Sequence, residues 1–353
     1  MPVWYFRPFK VTRYSLAGLI IVAIGLVGVV GISVWLVHRP LRLQNNEIYV
    51  ELLPGTSLTQ FAHQLRVARV FTKLDQRAFI ILGQLSGNAQ RLQAGEYALT
   101  ATTTLWQLLQ MLIRGDIVLH KLTFPEGITF AEMRRIIQTN PYLTVELSKL
   151  SEAQICDQLG ITVKSLEGMF YPDTYVFAKG TSDNVILHQA SQRMWAVLQA
   201  EWQQRDSSQP YQTAYDALIG ASLIEKETAN SNERFLIAAV IANRLRLNRA
   251  LQIDATVIYA LQDKYPGALT HAHLKYASPY NTYLHRGLPP SPIALVGRQS
   301  LYAALHPVKT ENLYYVARGD GSGTHMFADH LSQHLVNVQT VKQQWRIIDE
   351  ANP

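Results

Sequence analysis

Apolar and polar positions change period several times along the chain, and each change marks an element. Residues 15–37 (SLAGLIIVAIGLVGVVGISVWLV) run for 23 positions without a charge, against the roughly 20 that a helix needs to cross a bilayer. A cleaved secretory signal has a shorter apolar stretch and a small-residue cleavage site, whereas His38, Arg39 and Pro40 follow here. The pattern predicts an uncleaved single-pass anchor over 15–37, preceded by a cytoplasmic tail over 1–14. Arg7, Lys10 and Arg13 before the span slightly outweigh Arg39 and Arg42 after it, and Trp4, Tyr5 and Trp35 suit the two interfaces. Everything beyond about Leu43 is then exported, to the periplasm in a cell with two membranes.

Residues 47–117 follow the order strand, helix, helix, strand, helix. A short strand over 48–52 precedes a Pro54-Gly55 turn, and Ser57 is placed to cap a helix reaching 68. Residues 73–85 repeat apolar side chains at helical spacing, Gly95-Glu96-Tyr97 reads as a turn, and 104–114 as an amphipathic helix. This predicts a small α+β module over 45–118. A strand over 121–124, Pro125-Glu126-Gly127 and a helix over 129–138 then repeat the order of 48–68 and open a larger, mixed domain over 119–345. Residues 142–180 are rich in turns, and Gly168 to Tyr175 (GMFYPDTY) is dense in aromatics, either a platform for a sugar or peptide or a packed corner of the core. Helices dominate 183–249 around a polar linker, Ser207-Ser208-Gln209-Pro210, and long loops follow 251, of the kind that often bind substrate.

Within 217–228 (ALIGASLIEKET) an apolar helix carries ionisable groups. At a helical period Glu227 lies one turn beyond Leu223 and Ile224, while Glu225 projects to the side of the Leu218, Ile219, Leu223, Ile224 stripe. A carboxyl held against apolar side chains is raised in pKa and suited to act as a general acid near neutral pH. The alternative is a paired glutamate at a helix end, with Lys226 adjacent. Gln252 and Asp254 also sit among apolar residues; they either orient a substrate or, for Asp254, cap a helix starting near Thr256.

Composition narrows the chemistry. The 353 residues are 48% hydrophobic and 16% charged, enough for a large core and at odds with disorder. Cys156 is the single cysteine, so an intrachain disulfide and a cysteine-based metal site are both excluded. The net charge of +6 suits an acidic polymer or an anionic membrane surface, and an exported chain without a clustered basic helix is no nucleic-acid binder. GxSxG, P-loop and Ser-x-x-Lys signatures are absent from the sequence. His325, His330 and His334 crowd the C-terminal region, but Leu331 stands where a zinc HExxH motif needs its Glu, so no metal or other cofactor is expected. Glycoside hydrolysis ordinarily takes two carboxylates. Glu227 alone is well placed by pattern, which favours a reaction whose substrate supplies its own nucleophile, as murein does through the C6 hydroxyl of N-acetylmuramic acid.

The blocks 221–228 (ASLIEKET), Asn243-Arg244-Leu245, 251–259 (LQIDATVIY), 278–283 (SPYNTY), Gly287-Leu288-Pro289-Pro290 and His306-Pro307 resemble the YceG-like endolytic murein transglycosylases. Ala255 departs from a usual proline, and Ser291 and Val296 alter the loop after Pro290. The resemblance implies a single anchor, a LysM-like α+β module and a mixed α/β catalytic domain with a lysozyme-like helical active-site region. It makes Glu227 the catalytic residue and Gln252, Tyr280 and Asn281 substrate-positioning residues. The implied activity is cleavage of the MurNAc-GlcNAc β-1,4 bond within nascent peptidoglycan strands, leaving 1,6-anhydro-MurNAc ends and limiting strand length, beside glycan-polymerising synthases at the inner membrane. Two rivals stand beside it: a muramidase that delivers water to the same bond, and a membrane-anchored murein-binding scaffold without turnover.

Overall fold

The computed structural model describes residues 13–43, 45–163 and 165–351, so nearly all of the expected cytoplasmic tail lies outside the described residues. The fold is α+β and divides into two compact units, Met1–His120 and Lys121–Pro353.

The first unit opens with helix α1 (Arg13–His38), the one helix among the described residues long and apolar enough to cross a membrane. Its large apolar side chains from Leu19 to Trp35 are exposed. Water disfavours such a surface and hydrocarbon does not, so the helix is compatible with a single-pass anchor. Strands β1 (Glu47–Leu52) and β2 (Gly95–Thr100) pair antiparallel, Leu52 opposite Gly95, with α2 (Leu58–Val67), α3 (Lys73–Leu85) and α4 (Leu105–Arg114) completing the unit. Ser57, Thr72 and Thr104 close reciprocal capping boxes at the three helix starts. Phe61, Phe79, Tyr97 and the Leu105, Leu108, Leu109, Leu112 face form the core. Gly95-Glu96-Tyr97 belongs to a strand, contrary to the turn read from sequence. The alternation is hidden because Glu96 is buried beside Tyr97, its carboxylate 2.9 Å from His120 Nε2.

The second unit contains β4 (Thr174–Ala178), which pairs with β3 (Leu119–Thr123), and a β5–β6 hairpin (Tyr314–Ala317, His325–Ala328). Its helices are α5 (Phe130–Gln138), α6 (Glu152–Leu159), α7 (Asp183–Gln203), α8 (Ala214–Glu227), α9 (Arg234–Arg246), α10 (Asp254–Leu261), α11 (Arg298–Leu305) and α12 (Leu331–Ala351). The aromatic segment near Phe170 is a corner of the core: Phe170 is fully buried and stacks on Phe130 with ring centroids 5.2 Å apart.

Helix α8 is the centre of this unit. It starts with a capping box between Thr213 and Asp216, and every residue from Ala217 to Ile224 is buried, so the stripe read from sequence is instead a helix enclosed on all sides. Small residues make that enclosure possible. A Cβ on Gly220 would lie 2.2 Å from the Tyr211 hydroxyl, so only glycine admits this approach. The helices α7, α9, α10 and α11 pack around it, and Thr228, in extended conformation, ends it.

Candidate active site

Glu227 is the last residue of α8, where the chain leaves the buried core. Its side chain interacts electrostatically with groups from three other segments. The Tyr315 hydroxyl, from β5, hydrogen-bonds its carboxyl, and the charge of Asp254, first residue of α10, acts on it. Tyr283 donates its hydroxyl to Asp254 Oδ1 at 2.6 Å. Burial pushes the Glu227 carboxyl up to about 7; the Tyr315 bond opposes this and Asp254 reinforces it. The helix C-terminus acts in the same direction as burial, because its unpaired carbonyls disfavour negative charge. The result is a carboxyl that can hold a proton near neutral pH and give it up without a large cost, the property a general acid needs.

Access distinguishes this carboxyl from others. Leu251 and Ile253 point inward while Gln252 and Asp254 are exposed, a two-residue alternation that sets two polar groups on the open side. Gln252 has a left-handed backbone (φ 54°), fixed by its N–H to Thr282 O at 3.1 Å, and its Oε1 accepts from Arg244 Nη1 at 3.0 Å. Asp254 does not act as a cap: Ile253 holds the N-cap position, no side chain caps that helix start, and the Asp254 carboxylate is taken by Tyr283.

Behind Tyr315 stands a second pair. Glu233, at the N-cap position of α9, accepts the His325 backbone N–H at 2.9 Å and lies 2.7 Å from its ring Nδ1. The His325 ring meets Tyr315 edge-on, centroids 5.5 Å apart, so Glu233 and His325 brace the residue that bonds Glu227. The other C-terminal histidines go elsewhere. His330 pairs with Asp329 at 2.9 Å, and His334 stacks on Tyr314 at 5.1 Å.

Of the residues expected from sequence, Glu227 shares its surroundings with Gln252, through Arg244, but Tyr280 and Asn281 stand in other networks. The Tyr280 hydroxyl is 2.7 Å from Ser291 Oγ, and its ring lies against Tyr259 at 4.9 Å. Asn281 is fully buried; its Nδ2 serves Leu274 O (3.0 Å) and Tyr276 O (2.8 Å), and its Oδ1 accepts Tyr283 N–H (3.0 Å). These bonds place Asn281 in the framework of the loop that carries Tyr283. Glu225 does project away from Glu227, into a sealed contact with Gly297 N–H (3.0 Å) and Arg234 Nη2 (3.6 Å).

Tyr283, Tyr315 and Glu167 escape sequence reasoning. Tyr315 had a usable signal, since Leu313 to Ala317 reads as a strand before the Gly319-Asp320-Gly321 turn. Glu167 had none. It lies in the turn-rich middle, accepts Phe130 N–H at 2.9 Å and the Tyr259 hydroxyl at 3.1 Å, and burial pushes it too up to about 7.

Residues 50–340 match the model of the YceG-like family. The chain belongs to the YceG-like family. Glu227, Gln252, Asp254, Tyr283 and Tyr315 all fall inside the matched span. A protein of Bacillus subtilis (strain 168) named endolytic murein transglycosylase is 29% identical over 306 residues, covering 81% of this chain and 82% of that one. A protein of the same name from Streptococcus pneumoniae (strain D39) is 28% identical over 284 residues, 71% of this chain and 51% of its own length. A crystal structure of a yceG-like protein from Listeria monocytogenes aligns with a TM-score of 0.52 and 29% identity, covering 82% of this chain and 98% of that chain.

Proposed function

We propose that this YceG-like protein is a membrane-anchored endolytic murein lytic transglycosylase, with Glu227 serving in turn as acid and base. The observation that carries the reading is a half-buried carboxyl held near a pKa of 7 at the end of a buried helix, within the field of exposed Asp254. The names of the Bacillus and Streptococcus relatives support murein as the polymer and cleavage within strands as the reaction.

Protonated Glu227 gives its proton to the oxygen of the MurNAc-GlcNAc β-1,4 bond as that bond breaks, and positive charge develops at the muramic C1. Asp254, oriented by Tyr283, stabilises that charge. The C6 hydroxyl of the same muramic residue attacks C1 and returns its proton to the Glu227 carboxylate. A 1,6-anhydro ring forms, no water is consumed, and the acid is restored for the next turnover. Tyr315 holds the carboxyl in place through both transfers, and Gln252 positions the sugar. The pairing of a burial-raised acid with a second carboxylate is also how lysozyme divides its two roles, which supports a lysozyme-like description of this site.

The first unit, with its β-α-α-β-α order over 45–118, serves as a LysM-like murein-binding module, and 119–345 as the catalytic domain. The anchor over 15–37 sets both on the periplasmic face of the inner membrane, where cleavage of nascent strands limits their length beside the synthases that extend them. Tyr280 contributes to substrate positioning through the loop it shares with Ser291.

Asp254 favours one second reading, a muramidase in which that carboxylate activates water. Mass spectrometry of products from purified glycan strands decides between them. The full chain is expected to leave 1,6-anhydro-muramyl ends, and Glu227→Gln none. Reducing ends would assign the muramidase, and strand binding without cleavage would leave the scaffold.

A further inference from the structure

A cavity of about 360 Å³ opens beside the Glu227 cluster, lined by Arg244, Arg249, Arg286, Gln252, Asn248 and Tyr314. No carboxylate lies among its lining residues, and none of its three arginines forms an ion pair among the described residues. Arg244 is buried, and its Nε and Nη1 serve only neutral acceptors: Leu313 O at 2.6 Å, and Ala250 O, Leu251 O and Gln252 Oε1 each at 3.0 Å. Nη2 makes none of these bonds and is not among the sealed, unpartnered buried atoms. Arg249 reaches the same place and donates to the Tyr314 hydroxyl at 3.1 Å, while the Tyr314 ring lies 5.1 Å from the Arg244 guanidinium carbon.

A guanidinium keeps its charge in any protein, so burying one among neutral acceptors and next to a second leaves positive charge uncompensated, at a cost that a bound anion removes. The exposed arginines complete a set of forks suited to a planar carboxylate. Tyr314 of the lining stands beside Tyr315 in β5, and Gln252 two residues before Asp254, so the pocket adjoins the cluster around Glu227.

Building on the proposed function, we infer that this pocket is a subsite for a carboxylate of the peptide carried by a muramic residue next to the scissile bond. Murein bears such peptides on alternate sugars, and the arginines would select strands whose peptide carboxylates are free over strands in which they are amidated.

The test uses the full chain in detergent, with the Arg249→Ala/Arg286→Ala double variant; both side chains are exposed, so the fold is not at stake. Cleavage is measured on peptide-bearing strands and on the same strands with their peptide carboxylates converted to amides, which leaves no free carboxylate on the muramic residues. The double variant is expected to raise KM on strands with free peptide carboxylates about tenfold, the order of one lost charge-assisted bond, and to leave amidated strands unchanged. The same substitutions made together with Glu227→Gln, where strands stay intact, should weaken binding of the strands with free carboxylates alone. An equal effect on both strand types, or none on either, would overturn the subsite. Selective binding without cleavage by the unmodified chain would retain it while rejecting the proposed reaction.

Discussion

Glu227 and Glu167 are both pushed up to about 7, with burial the first cause in each, yet their surroundings part from there. Glu167 is 4% exposed and spends its oxygens on Phe130 N–H and the Tyr259 hydroxyl, tying α5 and α10 to the turn-rich middle of the unit. Glu227 ends its helix half-buried, takes one tyrosine, and lies within the field of exposed Asp254. A raised pKa therefore does not make a catalytic acid. Burial favours the protonated form in both places, but only Glu227 is partly open to solvent.

The largest expected effect follows from that contrast. Glu227→Gln should lower the rate of strand cleavage by about 10²- to 10⁴-fold, the usual contribution of a general acid, while Glu167→Gln stays close to the unmodified rate. Comparable losses in both would erase the distinction. Glu167→Ala, by contrast, leaves Phe130 N–H and the Tyr259 hydroxyl unpartnered, at about 1–3 kcal/mol for each; urea unfolding should report this as lost stability.

Stability against pH sharpens the comparison from the other side. The Glu227 pKa is about 4.5 unfolded and about 7 folded, so its favourable contribution is complete below 4.5 and is lost as pH rises through 7. Glu227→Gln should be the more stable protein at pH 8, by up to about 3 kcal/mol, and close to the unmodified protein at pH 4. A constant difference across that range would mean that the carboxyl is not held in this way. Smaller still are two shifts of opposite sign. Asp254→Asn removes a charge that raises the Glu227 pKa, and should move the alkaline limb of the rate profile to lower pH. Tyr315→Phe removes a bond that lowers it, and should move the limb to higher pH. Shifts in the same direction would show that these groups act on the fold rather than on Glu227.

Local chemistry was the legible part of the sequence. Ser57, Thr104 and Thr129 announce their helices because capping is decided within four residues, and α1 is apparent from its unbroken apolar run. Glu227 is legible as an ionisable group at the end of an apolar helix, although the helix is enclosed by small residues such as Gly220 instead of amphipathic. What surrounds Glu227 was not legible. Asp254, Tyr283 and Tyr315 come from the start of a helix, a loop and a hairpin, and only tertiary packing brings them together. The burial of Asn281 was hidden for the same reason, since a polar residue in a long loop gives no local sign that it binds backbone carbonyls. Glu96 and Glu167 show that a buried carboxylate also disrupts the very alternation from which a strand or turn is read.

The most direct measurement is the pH dependence of kcat/KM for strand cleavage from pH 5 to 9, made in parallel on the unmodified chain and on Glu167→Gln. Both should lose activity about tenfold per pH unit above about 7, as expected when one protonated acid is required. A profile flat through pH 8, or a limb that disappears with Glu167→Gln, would contradict the assignment of Glu227 as the working acid.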